Sequence, residues 1–330
     1  MAKFEVFHRK DAPEKFDQIT SSLHPAENVT PSIYGRYGKF YFPRVLDKQV
    51  TDMSLMLMKD NQPVIVVECD ISKGVFGRYG HPLLINILFE EGHPWRRKAL
   101  YSVMAAIIDI AGSNNASKIR ILDTEVSNNL SEIGKVCLDN QATACSKFTG
   151  IVDLSGTEDD IRRSLRKSYR SLVNWGKKNL DIKYVNKSIP DEELFRRYQS
   201  FHAEVAGRIT RPGESWDATF EWLCKGGGEL LLGYLDTGRL VSGNLIIYGE
   251  NIAVYSSGVY DRDQFDLPLS HWPLLLSIYR SKERGMKIFE IGDIPMQAEV
   301  SEKEQNIGYF KRGFSQRIRN TLVWEINICD

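Results

Sequence analysis

One order of elements is written twice in this chain, and that repeat constrains its fold more than any single motif does. In the second half, apolar runs at Glu229–Leu235 and Leu240–Tyr248 flank Asp236-Thr237-Gly238, a hairpin turn signal, and Ile252–Tyr260 continues the meander. A helix follows from the cap at Ser270, with Leu274, Leu275, Ile278 and Tyr279 on its apolar face and Gly285 closing it. Then come a strand, Met286–Ile291, that ends in Gly292-Asp293, a helical stretch over Glu302–Lys311, and alternation at Ile318, Leu322, Trp324, Ile326 and Ile328. The first half carries a hairpin at Met53–Cys69, a glycine-punctuated loop at Gly74–Gly80, a helix over Trp95–Gly112 and a strand at Lys118–Asp123. Matching elements lie about 170 to 175 residues apart. A duplicated α+β unit explains that spacing. The 330 residues then divide at a join near Thr149–Gly156, into expected domains 1–149 and 150–330.

Composition excludes several classes. Lysine plus arginine equals aspartate plus glutamate at 43 each, so the chain is no uniformly basic nucleic-acid coat. The N-terminus is studded with charges and lacks a signal-peptide core, and no run approaches the roughly 20 apolar residues of a transmembrane helix. A cytoplasmic location is the expectation. Five cysteines without CxxC spacing and six scattered histidines provide no metal motif and no disulfide framework.

Charge is concentrated locally. Ile161–Lys178 holds seven cations and no acid, and Arg162, Arg166 and Arg170 at i, i+4 spacing predict one basic helix face opening the second domain. The preceding Glu158, Asp159 and Asp160 suit a helix N-terminus.

Short motifs then carry a resemblance. Leu165-Arg166-Lys167-Ser168-Tyr169-Arg170 with Gly176-Lys177-Lys178, the loop Phe76-Gly77-Arg78-Tyr79-Gly80-His81-Pro82-Leu83, Glu290-Ile291-Gly292-Asp293, and Ile307-Gly308-Tyr309-Phe310-Lys311-Arg312-Gly313-Phe314 look like the basic segment, the "YG-x-P" loop and the "D-x-G … FK-x-GF" ending of the FemAB/FemX aminoacyltransferases. That family has two GNAT-like acyltransferase domains in tandem, with mixed, mostly antiparallel sheets flanked by helices. Gly292-Asp293 departs from its commoner residue order, and no helical-hairpin arm is present in the sequence.

The resemblance implies transfer of an acyl or aminoacyl group from an activated donor (aminoacyl-tRNA, acyl-CoA or acyl carrier protein) to an amine of a cell-envelope or surface-polysaccharide precursor, a sugar or a peptide. It implies no tightly bound cofactor. By resemblance Lys311 faces the donor phosphate or the developing oxyanion, with Phe310 and Arg312 beside it. Asp293 at a strand end accepts or orients the amine proton, Tyr255 on the strand expected to splay donates to the oxyanion, and His271 at a helix start offers a base. Arg166, Lys167, Arg170 and Lys177 would bind phosphates, and Arg78 and Tyr79 the acceptor. Acetyl-CoA members place a glycine-rich pyrophosphate loop after the splayed strand. Here Asp261–Leu269 has no glycine and three aspartates, which argues against that cradle. The competing class is a non-catalytic module of the same fold that attaches to nucleic acid or an anionic membrane surface.

Overall fold

The computed structural model describes residues 4–22, 35–46, 50–124, 129–296 and 300–328. In chain order its elements are β1 (Glu5–His8), α1 (Pro13–Ser22), α2 (Arg36–Leu46), β2 (Thr51–Asp52), β3 (Leu55–Lys59), β4 (Gln62–Glu68), β5 (Asp70–Ser72), β6 (Val75–Gly77), β7 (Leu83–Ile87), α3 (Arg96–Ser113) and β8 (Lys118–Asp123). There follow α4 (Glu132–Asp139), β9 (Thr143–Asp153), α5 (Glu158–Ser164), α6 (Tyr169–Asn179), β10 (Asp181–Val185), α7 (Glu192–Ala206), α8 (Gly213–Cys224), β11 (Gly228–Tyr234), β12 (Leu240–Tyr248) and β13 (Ile252–Tyr260). The chain closes with α9 (His271–Glu283), β14 (Ile288–Asp293), α10 (Glu302–Phe314) and β15 (Arg317–Asn327).

These elements form two compact units. One comprises Met1–Thr30, Leu46–Lys147 and Asn320–Asp330; the other comprises Pro31–Val45 and Phe148–Arg319. The first unit orders its strands β1-β3-β4-β7-β8-β15, all neighbours antiparallel except β7 and β8. A side arm of β2, β5 and β6 joins β8 through β6. On α3, Leu100, Val103, Met104 and Ile107 recur at helical spacing and pack against Leu57, Ile65 and Ile119 of the sheet, with Trp324 from β15 in the same cluster.

The second unit orders its strands β9-β14-β13-β12-β11-β10, all neighbours antiparallel except β13 and β14. Alternation along the strands divides its core by face. Leu232, Leu245 and Val259 pack with Phe195, Tyr198 and Trp216 of α7 and α8. Leu231, Ile246, Ala253 and Phe289 pack with Val173 of α6 and Leu274, Leu275 and Ile278 of α9. Fully buried Glu229 clamps α9 to β11, accepting hydrogen bonds from Arg280 Nε and Nη2 and from Tyr248 Oη.

The repeat is present with one alteration. The orders β8–α4–β9 and β14–α10–β15 correspond, but each final strand completes the other unit's sheet. Thr149–Asp153 of β9 pair with β14, and Leu322–Asn327 of β15 pair with β8. β9 runs through the first part of the Thr149–Gly156 stretch in which the join was expected.

Three expectations need correction. The single basic helix is two helices: Leu165 turns extended (ψ 147°) and buries its side chain, while Arg166 N–H donates to Gly313 O at 2.9 Å. Tertiary bonding there outweighs local helix propensity. The Gly74–Gly80 loop contains β6, and the apolar run after it is β7, the counterpart of β13. The helical stretch expected to end at Lys311 runs on to Phe314 as α10, so Lys311 lies inside the helix.

The strand exchange has a measurable consequence. Trp324 is buried in the first unit and donates its Nε1–H to Asp123 Oδ2 at 3.0 Å. A chain truncated after Arg319 should lose amide-exchange protection at Ile119–Leu122 of β8. Unchanged protection there would show that β15 contributes nothing to that unit.

Candidate active site

The site of the second unit is opened by two strands that part. β13 and β14 pair only at Ile252–Ile288, Ala253–Phe289 and Val254–Glu290, although β13 runs on to Tyr260 and β14 to Asp293. Both strands carry a local cause. The β12–β13 register shifts where Leu245 faces Ser257 and Ile246 faces Tyr255, leaving Ser256 as the extra residue of a bulge. On β14 the register with β9 shifts between Glu290 and Gly292, and Gly292 adopts φ +94°, a backbone conformation suited to glycine. Beyond Val254, backbone groups of a central strand therefore face a gap, and Ser256 and Gly258 are exposed in mid-strand. Such groups need partners, and an extended polar ligand can supply them.

α10 lies against the far end of β14. It begins with a capping box between Ser301 and Glu304 and ends in basic residues that suit its C-terminus. Lys311 Nζ donates to the Asp293 carbonyl at 3.0 Å. A Cβ on Gly292 would stand 3.1 Å from that Nζ, so glycine provides both the bend and the space. The neighbouring Phe310 and Phe314 enclose His271 together with Tyr169, at ring-centroid distances of 5.4, 6.1 and 4.6 Å. Burial pushes the His271 imidazole down to about 4, so it is neutral at physiological pH.

Next to the bulge, Tyr255 Oη and Tyr260 Oη meet at 2.5 Å. With the Asn244 amide oriented to satisfy both ends, its Nδ2 donates to Tyr260 Oη and its Oδ1 accepts from Leu274 N at 3.1 Å. Burial raises both phenols, so they stay protonated. In the first turn of α9, position 273 is a proline without N–H, and the Leu274 amide also donates to Ser270 O at 3.2 Å. Asp261 caps Asp263 N–H and pairs with Arg239.

Comparison with solved structures agrees with this topology. The chain is similar to FemX (TM-score 0.62, 13% identity, 98% of this chain and 97% of that one) and to a tandem GNAT protein from the clavulanic acid pathway (0.61, 13%, 99% of each). The C-terminal domain of a putative lysylphosphatidylglycerol synthetase from Agrobacterium fabrum matches at 0.52 and 13% identity over 80% of this chain and 81% of its own. The fold is that of the tandem GNAT acyltransferases. No protein-family model and no curated protein sequence matches the chain.

Within the tandem GNAT fold the expected residues fall into three groups. Lys311, Asp293, Phe310 and His271 converge at the end of β14, while Tyr255 sits on the splayed strand itself. The basic residues differ in freedom. Arg166 stacks 3.6 Å over the Tyr309 ring and donates to Tyr309 O and Tyr169 Oη, so it holds α10 in place. Arg170 donates to Arg163 O, and Lys177 lies 5.6 Å from the Trp272 ring centroid. Lys167 and Arg312 are exposed, and no ion pair with either is recorded among the described residues. Arg78 and Tyr79 belong to the first unit, where Arg78 bonds Glu68 at 3.2 Å and Tyr79 N–H bonds buried Asp70 at 2.7 Å.

Sequence reasoning missed a second cluster, on the α7 face. Tyr198 and His202 are one helical turn apart, and Arg211 and Trp216 come from the following turn and helix. Only the i, i+4 spacing of Tyr198 and His202 was visible beforehand.

The His271 environment predicts a pH effect. Between pH 6.5 and about 4 the unfolded chain takes up a proton that the folded one refuses, so stability falls as pH drops through that window. His271→Phe should reduce that loss when urea midpoints at pH 7 and pH 5 are compared. An equal loss in both proteins would show that His271 is readily protonated in the fold.

Proposed function

We propose that the protein is an N-acyltransferase that moves an acyl or aminoacyl group from an activated donor to an amine. The observation that carries this reading is the splay of β13 and β14 with Lys311 across its end. A linear donor arm can add its polar groups to the unpaired edge of β13, with its carbonyl at the point of divergence. Acyl transfer passes through a tetrahedral oxyanion, which fixed donors stabilise. Lys311 supplies a positive charge at the strand end, and its bond to the Asp293 carbonyl fixes its position before any substrate arrives. Neutral His271 and the protonated Tyr255–Tyr260 pair add polarity without further charge.

For the donor, the stretch Asp261–Leu269 before α9, with three aspartates and no glycine, favours aminoacyl-tRNA or a carrier-bound acyl group over acyl-CoA, whose pyrophosphate suits a glycine-rich cradle at that place. The basic surface of Lys167, Arg170, Lys177 and Arg312 suits a polyphosphate partner. The similarity to FemX and to a putative lysylphosphatidylglycerol synthetase supports an aminoacyl donor and an acceptor in the cell envelope, a sugar or peptide precursor. Among the described residues no helix is long and apolar enough to cross a membrane.

Lys311→Ala should lower turnover about 100- to 1,000-fold, in line with loss of one oxyanion donor, while the melting temperature changes little. Donor screening comes first, with charged tRNA, acyl carrier protein and acyl-CoA tested for acyl transfer to amines. Full activity in the alanine variant would remove Lys311 from the chemistry, and no turnover with any donor would favour a binding module.

A tRNA donor makes a separate prediction. Lys167→Gln with Arg312→Gln should reduce the slope of log affinity against log salt by about 0.7 to 0.9 per lost phosphate contact. A slope equal to that of the parent protein would take both residues out of donor binding.

A further inference from the structure

The α7 face of the splayed strand holds a polar cluster that the donor side does not use. Tyr198 is fully buried, its hydroxyl lies beside Ser257 of β13, and no hydrogen bond of good geometry satisfies it among the described residues. A buried hydroxyl short of a good partner is costly, so a fold keeps one where something else can meet it. One turn further along α7, His202 is half-buried, with Nδ1 3.1 Å from the Thr210 hydroxyl. No partner of its Nε2 is recorded among the described residues. Trp216 forms the wall, 5.7 Å from the Tyr198 ring and 5.3 Å from the His202 ring. Arg211 lies 5.1 Å over the same indole, and no ion pair with it is recorded among the described residues.

We infer that this cluster is the acceptor subsite and that it selects a primary amine carrying an anionic group close by. His202 Nε2 accepts a hydrogen bond from the amine, Arg211 pairs with the anion, the Trp216 face supports the chain between them, and the Tyr198 and Ser257 hydroxyls complete the polar lining toward β13. The inference rests on the acyltransferase reading and narrows its acceptor. The cluster's charges fit the assignment. Arg211 is the charged group facing His202, Tyr198 of the same helix and Tyr37 of α2 are the titratable groups near that cation, and Trp216, Thr210 and Ser257 contribute no charge. Burial and the Arg211 cation both lower the imidazole pKa, and with Nδ1–H donating to Thr210 Oγ1 the neutral ring presents Nε2 as its acceptor. A cation left unpaired beside a neutral imidazole discriminates against plain amines, because it is satisfied only when the ligand brings an anion.

Binding can be tested without any donor, so failure here is distinguishable from failure of the acyltransferase reading. Histidine ring signals, with His202 assigned from His202→Gln, are followed by NMR during titration with O-phosphoethanolamine, β-alanine, ethanolamine and inorganic phosphate. The expected result is a His202 shift and Trp216 fluorescence quenching at millimolar O-phosphoethanolamine or β-alanine. Ethanolamine and phosphate alone should bind at least about tenfold more weakly, and the stronger of the two amine-anion probes tells a phosphate from a carboxylate. Arg211→Gln should weaken that binding by at least about tenfold, while Lys311→Ala leaves it unchanged. The inference is overturned if no probe moves the His202 signal at millimolar concentration, or if Arg211→Gln binds as tightly as the parent protein.

Discussion

Strand pairing that stops early is the constraint on which the second unit depends. A parallel pair normally continues while both strands remain extended, because each added rung satisfies backbone groups on both. Here pairing ends after Val254–Glu290, and two local defects keep it from resuming: a bulge at Ser256 and a left-handed glycine at position 292. The surrounding packing makes the interruption tolerable. β12 still pairs with β13 along its length, β9 still pairs with β14, and Glu290 at the last rung is held by Arg319 Nη2 at 2.7 Å. The gap is thus a rigid opening rather than a frayed edge, and a rigid opening holds a reacting group in place without further ordering.

Much of the fold was readable because the repeated elements are long and periodic. The second-half meander, the helix after it and the strand ending at Asp293 emerged almost as expected, since alternation and helical spacing act locally. What escaped was decided by distant contacts. Leu83–Ile87 holds four apolar residues and Asn86 without alternation, bordered by loop glycines, and nothing local separates it from the loop before it. The break between α5 and α6 depends on burying Leu165 and on the Gly313 carbonyl, some 150 residues away in sequence. Strand exchange is equally silent, for alternation in β15 shows that it is a strand but not which neighbour it joins.

The arrangement of the candidate site was legible in part. Lys311, Phe310 and Asp293 were marked by a motif, and His271 by its place at a helix start; packing brings the four together around the end of β14. Arg166 was read as a phosphate ligand because charge without opposite charge suggests one. The structure turns it inward to stack on Tyr309 and bond backbone oxygens, a role for which delocalised guanidinium is well suited. Tyr198, His202, Arg211 and Trp216 went unseen because they are spread over a helix, a turn and a second helix, and their meaning comes from facing one strand.

The residue order at the end of β14 shows how a departure from a motif can be a local requirement. Position 292 takes φ +94°, which non-glycine residues rarely adopt, and its Cβ direction is occupied by the Lys311 ammonium. Aspartate at 292 would be strained and would crowd Nζ; at 293 it follows the bend, and its carbonyl is the atom that Lys311 binds. Glycine at 292 therefore suits both the bend and the position of Lys311. The bend that ends strand pairing and the carbonyl that anchors the lysine are supplied by adjacent residues, so the width of the gap and the position of its charge are set together.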